Sequence, residues 1–259
     1  MFSLALVSAR QDPAACASEF QDVQRTTGLR PSDIDHRIID STTVTLGDMR
    51  GVDGVIVGGS SLNVTDDVHS PYQQHVHREL AQLLELDVPT LFICFGNTYL
   101  ADITGGTVDR CHPEPAGSTT VELTDAGRTD PLTQHLPDSF HAFTGHKEAV
   151  SAVGQGVRVL ASGPTCPVQL VRANRSTWAS QFHPDLDYEG MAARMSFNLT
   201  GGYFSPEDYE GIVARLAAVE TAAANSIMRR FVEICRAWPL GGSELEAERH
   251  AERSRVGAH

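Results

Sequence analysis

The stretch Leu91-Phe92-Ile93-Cys94-Phe95-Gly96 restricts what this chain can fold into more than any other. It reads as a buried strand that ends on a cysteine and turns at once through a glycine, after which Asn97-Thr98-Tyr99-Leu100-Ala101-Asp102 continues as a helix. Such a strand-to-helix turn lies at the carboxyl edge of a sheet, where open α/β folds place their ligands, and the helix N-terminus favours a thiolate. On this stretch alone two readings stay open. Cys94 is either a nucleophile or a small buried core residue, the commoner fate of a free cysteine.

The flanking segments alternate between strand and helix. Met1 to Ser8 reads as a first strand, and Asp12-Pro13 starts a helix to about Thr27, where Gly28 and Pro31 stop it. His36 to Asp40 is expected as a second strand. Val55-Ile56-Val57, ended by Gly58-Gly59, is a third, apolar enough to lie mid-sheet with both faces covered. Ser70-Pro71 opens a crossover helix over 71–86 with Val76, Leu80, Leu83 and Leu84 on its apolar face. This order predicts an α/β fold, doubly wound around a mainly parallel central sheet.

From Gly105 the texture changes to short strands at 107–109, 119–123, 157–161 and 167–171, which predicts a small antiparallel extension ending in Trp178 to Phe182. Ser205-Pro206-Glu207-Asp208 has the form of a capping box, and apolar residues from Tyr209 to Ile234 keep a helical period, with a break expected near Ala222 to Asn225. The expected division is 1–204 for the main domain, 205–238 for C-terminal helices packed on it and 239–259 for a flexible tail. The helical stripe either completes the core or joins copies into a homo-oligomer. No internal repeat is visible.

A formal charge of −13 argues against nucleic acid as a partner, and no apolar run approaches the ~18 residues of a membrane span. Cys16, Cys94, Cys111, Cys166 and Cys235 are scattered with no C-x-x-C pair, so neither a disulfide framework nor a zinc site is suggested, and a cytoplasmic setting is expected. Without export, the triplets at Asn63, Asn174 and Asn198 carry no weight as glycosylation sites. His75 and His77 face nearly opposite ways on a helix and make no metal pair, while Thr104-Gly105-Gly106-Thr107 reads as a turn. Glu148, Asp66 and Asp67 read as solvated surface. No cofactor and no metal is called for.

A cysteine nucleophile needs a base and a group that orients the base. His183 and Asp185 supply both: at the end of a strand, alternation points them the same way. An oxyanion hole can come from the backbone N–H of Phe95 at the turn and of Gly59, whose missing side chain permits close approach.

Four blocks then resemble a known family in order and rough spacing: Val55-Ile56-Val57-Gly58-Gly59-Ser60, Pro89 through Gly96, Gly145-His146-Lys147-Glu148-Ala149-Val150, and Gln181-Phe182-His183-Pro184-Asp185. Together they look like the class I glutamine amidotransferases, above all the glutaminase part of GMP synthase and its free-standing relatives, over residues 2 to 236. The resemblance implies a flavodoxin-like sheet, with Cys94 as nucleophile, His183 as base and Asp185 where relatives usually carry glutamate. It implies an oxyanion hole at Gly59 and Phe95, and substrate contacts at Gly58, Thr98, Thr144, Gly145 and His146. The implied chemistry is attack on a γ-carboxamide, a γ-glutamyl thioester, release of ammonia and hydrolysis. A synthetase that accepts the ammonia would be a separate polypeptide. Phe92 replaces a family glycine, Asn97-Thr98 replaces His-Gln, and Ser60 replaces proline, so glutamine recognition is expected to differ. Two alternatives stand beside glutamine hydrolysis: a γ-glutamyl peptidase or hydrolase on another γ-glutamyl compound, and a non-catalytic binding subunit.

Overall fold

The computed structural model describes residues 2–197 and 202–239. In chain order the elements are β1 (Leu4–Ser8), α1 (Pro13–Thr27), β2 (Ile34–Ile38), β3 (Gly54–Val57), α2 (Pro71–Ala81), β4 (Thr90–Ile93), α3 (Phe95–Ile103), β5 (Thr107–Asp109) and β6 (Glu114–Leu123). They continue as β7 (Ser139–His146), β8 (Ala149–Ala152), β9 (Arg158–Ser162), β10 (Leu170–Arg172), β11 (Thr177–Ser180), α4 (Tyr188–Phe197), α5 (Tyr209–Leu216) and α6 (Ala222–Ala237).

Local chemistry sets the first crossover. The Asp12 side chain accepts from the Ala14 N–H at 2.9 Å, Pro13 takes the first helical position, and Gly28 closes α1 at φ 71° with its N–H on the Gln24 carbonyl. The main sheet runs β2-β1-β3-β4-β11-β10-β9-β6-β7. Neighbours from β2 to β11 are parallel and those from β11 to β7 antiparallel. Strand alternation sends Leu4, Leu6, Ile56, Leu91, Ile93 and Trp178 into a core with α1 and α6. Ala5, Val7, Val55, Val57, Phe92 and Ala179 go into a second core with α2 and α3. The expected doubly wound sheet, apolar strands covered on both faces, is thus what the chain forms.

Several expectations need correction. The second strand lies two residues earlier than the sequence suggests, since a helical turn at Pro31–Asp33 delivers the chain directly into Ile34. The antiparallel extension is present as expected: β10, β9, β6 and β7 continue the main sheet, and β5 and β8 form a separate pair among the described residues. β7 and β8 have no counterpart among the strands expected from sequence. Ser205 makes no side-chain cap; a turn at Pro206–Asp208 intervenes and α5 begins at Tyr209. The helical break falls at 217–221, before the expected place. α6 is part of the main core, where Phe231 stacks edge-on against Trp178 at 6.3 Å and a methyl on Gly54 would sit 2.2 Å from the Cys235 sulfur. The expected tail, apart from Pro239, and Asn198 lie outside the described residues. No described helix is long and apolar enough to cross a membrane.

Candidate active site

Cys94 stands between β4 and α3 at φ 56° and ψ −100°, the only non-glycine residue at positive φ among those described. A side chain held there costs about 1–3 kcal/mol, which the surroundings must offset. The Cys94 N–H donates to the Ser180 carbonyl at 2.7 Å, and the Asn97 N–H donates back to the Cys94 carbonyl at 2.9 Å. The turn is also packed from below. A methyl on Gly96 would lie 2.6 Å from the Phe92 Cβ, so Phe92 fills the core under Gly96.

His183 is brought to Cys94 by a turn. β11 ends at Ser180, so strand alternation does not orient His183 and Asp185 as the sequence suggested; the His183 N–H bonds the Phe143 carbonyl of β7 at 2.8 Å instead. His183 Nδ1 meets Asp185 Oδ1 at 3.0 Å. The other Asp185 oxygen accepts from Arg194 Nη2 at 3.2 Å, and the same nitrogen bonds Asp22 Oδ2 at 3.2 Å. From α6, Asn225 Nδ2 donates to the carbonyls of Pro184 and Leu186 at 2.9 and 2.8 Å, clamping the turn that carries Asp185. Arg194, Asp22 and Asn225 do not stand out in the sequence, because residues on three separate helices carry no common spacing.

The electrostatics follow from this burial. Desolvation alone would lower the His183 pKa, but the Asp185 carboxylate and the Cys94 sulfur outweigh it and push it up to about 9. Desolvation would raise Asp185, yet His183 and Arg194 hold it well below the usual carboxylate range. Asp22 goes the other way: burial lifts it to about 6 against the pull of Arg194, with the Asp185 charge adding to the rise.

Gly59 lies against this pair, for a methyl there would come 2.9 Å from His183 Cε1 and 3.6 Å from both Cys94 Cβ and Arg10 Nη2. Neither the Gly59 N–H nor the Phe95 N–H at the start of α3 meets an acceptor among the described residues. Gly58 is not brought to the site. Its N–H donates to the Val7 carbonyl at 3.0 Å, and a side chain on it would run into the Glu19 carboxylate.

Thr144 and Gly145 line the cleft beside Cys94, whose empty space is about 530 Å³. A smaller recess of about 240 Å³ opens from the same cysteine between Phe95, Thr98, His146 and Glu148. Thr144 Oγ1 and His146 Nε2 both bond Glu114 Oε2, at 3.0 and 2.9 Å. Glu114 is buried; that would raise its pKa, but His146, Thr165 and Thr119 bring it down to about 2. Glu148, which reads from sequence as solvated, is 4% exposed and accepts from the Val64 and Thr65 N–H groups and from the hydroxyls of Thr65 and Thr98. Those partners lie more than eighty and about fifty residues away for the loop and Thr98, beyond any local pattern. Asn97 turns its amide to Gln181 at 3.1 Å. Asp66 pairs with Arg110 at the surface, and Asp67 is exposed, as the sequence suggests. His75 bonds the Val44 carbonyl and His77 packs on Phe95 and Tyr99; no described cluster of three or more His, Cys, Asp or Glu is arranged for a metal.

A family model described as "Glutamine amidotransferase class-I" matches residues 17–200. The glutamine-hydrolysing GMP synthase of Neisseria meningitidis serogroup C is 26% identical over 171 residues, covering 63% of this chain and 31% of that protein. A glutamine-hydrolysing GMP synthase subunit from Sulfolobus acidocaldarius is 28% identical over 142 residues, covering 54% of this chain and 71% of its own. The chain therefore spans about a third of the Neisseria relative's length. Among solved structures, a glutamine amidotransferase from Thermotoga maritima superposes with a TM-score of 0.74 at 16% identity, covering 91% of this chain and 98% of that one. At that identity the likeness speaks for the fold.

Proposed function

The chain belongs to the class I glutamine amidotransferase family, and from that premise we propose that it hydrolyses a γ-glutamyl amide through Cys94, His183 and Asp185. The observation that carries the reading is the strained Cys94 turn with His183 and the side-chain-free Gly59 packed against it. A residue at φ 56° is kept only where its surroundings over-determine it, and such positions cluster at functional sites.

In this reading the Cys94 sulfur attacks the γ-carbonyl carbon. The oxyanion that develops is met by the free N–H groups of Gly59 and Phe95, each such donor being worth about 2.7–4 kcal/mol. With its pKa at about 9, His183 is an imidazolium at neutral pH, so the proton needed by the leaving nitrogen is already in place. As the C–N bond breaks, that proton moves from His183 to the amine, leaving a γ-glutamyl thioester on Cys94. Neutral His183 then takes a proton from water as the water attacks the thioester, and glutamate and the thiolate–imidazolium pair are regenerated. Asp185, held by Arg194, fixes the ring through Nδ1 in both steps.

Gly145 borders the substrate directly, and Thr144 and His146 hold the wall beside it through Glu114. Thr98 acts through Glu148, which orders the loop at Val64 and Thr65. With glutamine as substrate the product is ammonia, and a synthetase on another polypeptide is the proposed acceptor, in keeping with the Sulfolobus relative's being one subunit of its GMP synthase. The test is release of glutamate together with ammonia from glutamine, or with the aniline from a γ-glutamyl anilide, by the wild type and by Cys94→Ala. Activity that disappears in the variant supports the reading; an unchanged rate removes it.

A further inference from the structure

Two recesses meet at Cys94, sharing Ser60, Gly145 and Tyr203, and they differ in chemistry. The smaller carries Asn63, Thr98, His146, Lys147, Glu148 and Gln181 beside Leu62 and Phe95, polar groups matched to the amino and carboxylate groups of a glutamyl unit. The larger lies on the His183 side; Arg10, Ser61, Thr144 and Arg194 border it, and the apolar part of its wall is Ala116, Leu186, Met191, Met195 and Phe204. These residues belong to an apolar cluster backed by Phe143 and by Ile212 and Leu216 of α5. Part of its backing therefore comes from beyond the segment that matches the family.

Proton delivery decides which recess holds which half of the substrate. His183 must reach the leaving nitrogen, so that nitrogen points to the His183 side of Cys94, and whatever it carries enters the larger recess. Ammonia carries nothing and gains nothing from an apolar wall. We propose that this recess is a leaving-group subsite for an apolar amine, and that γ-glutamyl amides of apolar amines are better substrates than glutamine. The proposal rests on the reading of Cys94 as nucleophile. The two wall methionines, unbranched and polarizable, suit a subsite that accepts apolar groups of varied shape. The bonds made and broken are those of the hydrolysis above, with the alkyl amine leaving in place of ammonia.

The experiment measures kcat/KM of the full chain for glutamine, γ-glutamyl methylamide and γ-glutamyl isoamylamide, alongside labelling of Cys94 by a chloroketone analogue of glutamine. One methylene in an apolar pocket is worth at least about tenfold, so the isoamylamide is expected to exceed the methylamide by tenfold or more. Met195→Asn should reduce that ratio by at least about tenfold. The wild-type series stands by itself if the variant does not fold. Turnover that is highest for glutamine and falls as the amine grows overturns the subsite while leaving the Cys94 chemistry intact. Absence of both turnover and labelling overturns the subsite and the underlying reading together.

Discussion

Replacing Asp185 with asparagine keeps the shape of the side chain and removes the charge that faces His183 Nδ1. The ring then sits buried, with Arg194 nearby and no adjacent anion on that side, and its pKa falls from about 9 to the ordinary 6.5 or below. That change corresponds to roughly 3 kcal/mol in favour of the imidazolium in the native protein. Its effect on rate depends on pH. Near pH 8.5 about three quarters of wild-type His183 is protonated against about 1% in the variant, a ratio of about 75. Near pH 6 the ratio shrinks to about 1.3. The assay is kcat/KM for a γ-glutamyl anilide across this range, with denaturant unfolding to confirm that the variant is folded. The wild type should lose activity as pH rises through about 9, and the variant's falling limb should move down by two pH units or more. A defect of equal size at every pH would refute the reasoning, for it would mean that Asp185 only holds the turn in place.

Gly59→Ala puts a methyl 2.9 Å from the His183 ring and should lower kcat/KM by about a hundredfold or more with little loss of thermal stability, read by turnover and melting together. Gly96→Ala drives a methyl into Phe92 and should destabilise by about 1–3 kcal/mol in urea unfolding. Glu114 has a folded pKa of about 2 against an ordinary 4.5, so it adds about 3 kcal/mol of stability that is complete above about pH 4.5 and lost as pH falls through about 2. Glu114→Gln should flatten that part of the stability–pH curve, measured by urea unfolding between about pH 2.5 and 6. Glu148→Ala strips four hydrogen bonds and should speed amide exchange at Val64 and Thr65.

What can be read from the sequence is what local chemistry decides. The α1 caps at Asp12 and Gly28, the apolar β3 and the Cys94 turn are each specified within a few residues. β7 escapes because Thr144 and His146 are polar yet buried, and the group that makes their burial tolerable is Glu114 on β6, about thirty residues earlier. Glu148 misleads for the same reason: its donors are a distant loop and a threonine on α3. Ser205 carries a capping pattern that the chain does not use, since a turn at Pro206–Asp208 comes first. Within the site, the residues proposed to carry the chemistry, Cys94, His183, Asp185 and Gly59, are legible as residue types in sequence context. Arg194, Asp22 and Asn225, which hold them, are not, because they meet only once helices from both ends of the chain have packed.

The central claim is that the Cys94 sulfur forms a γ-glutamyl thioester. Acid-quenched turnover of a γ-glutamyl anilide, followed by proteolysis and mass spectrometry, tests it directly. A γ-glutamyl adduct is expected on the peptide containing Cys94, absent when the residue is alanine, and none on Cys16, Cys111, Cys166 or Cys235. Turnover with the adduct on another cysteine, or undiminished in Cys94→Ala, would contradict it.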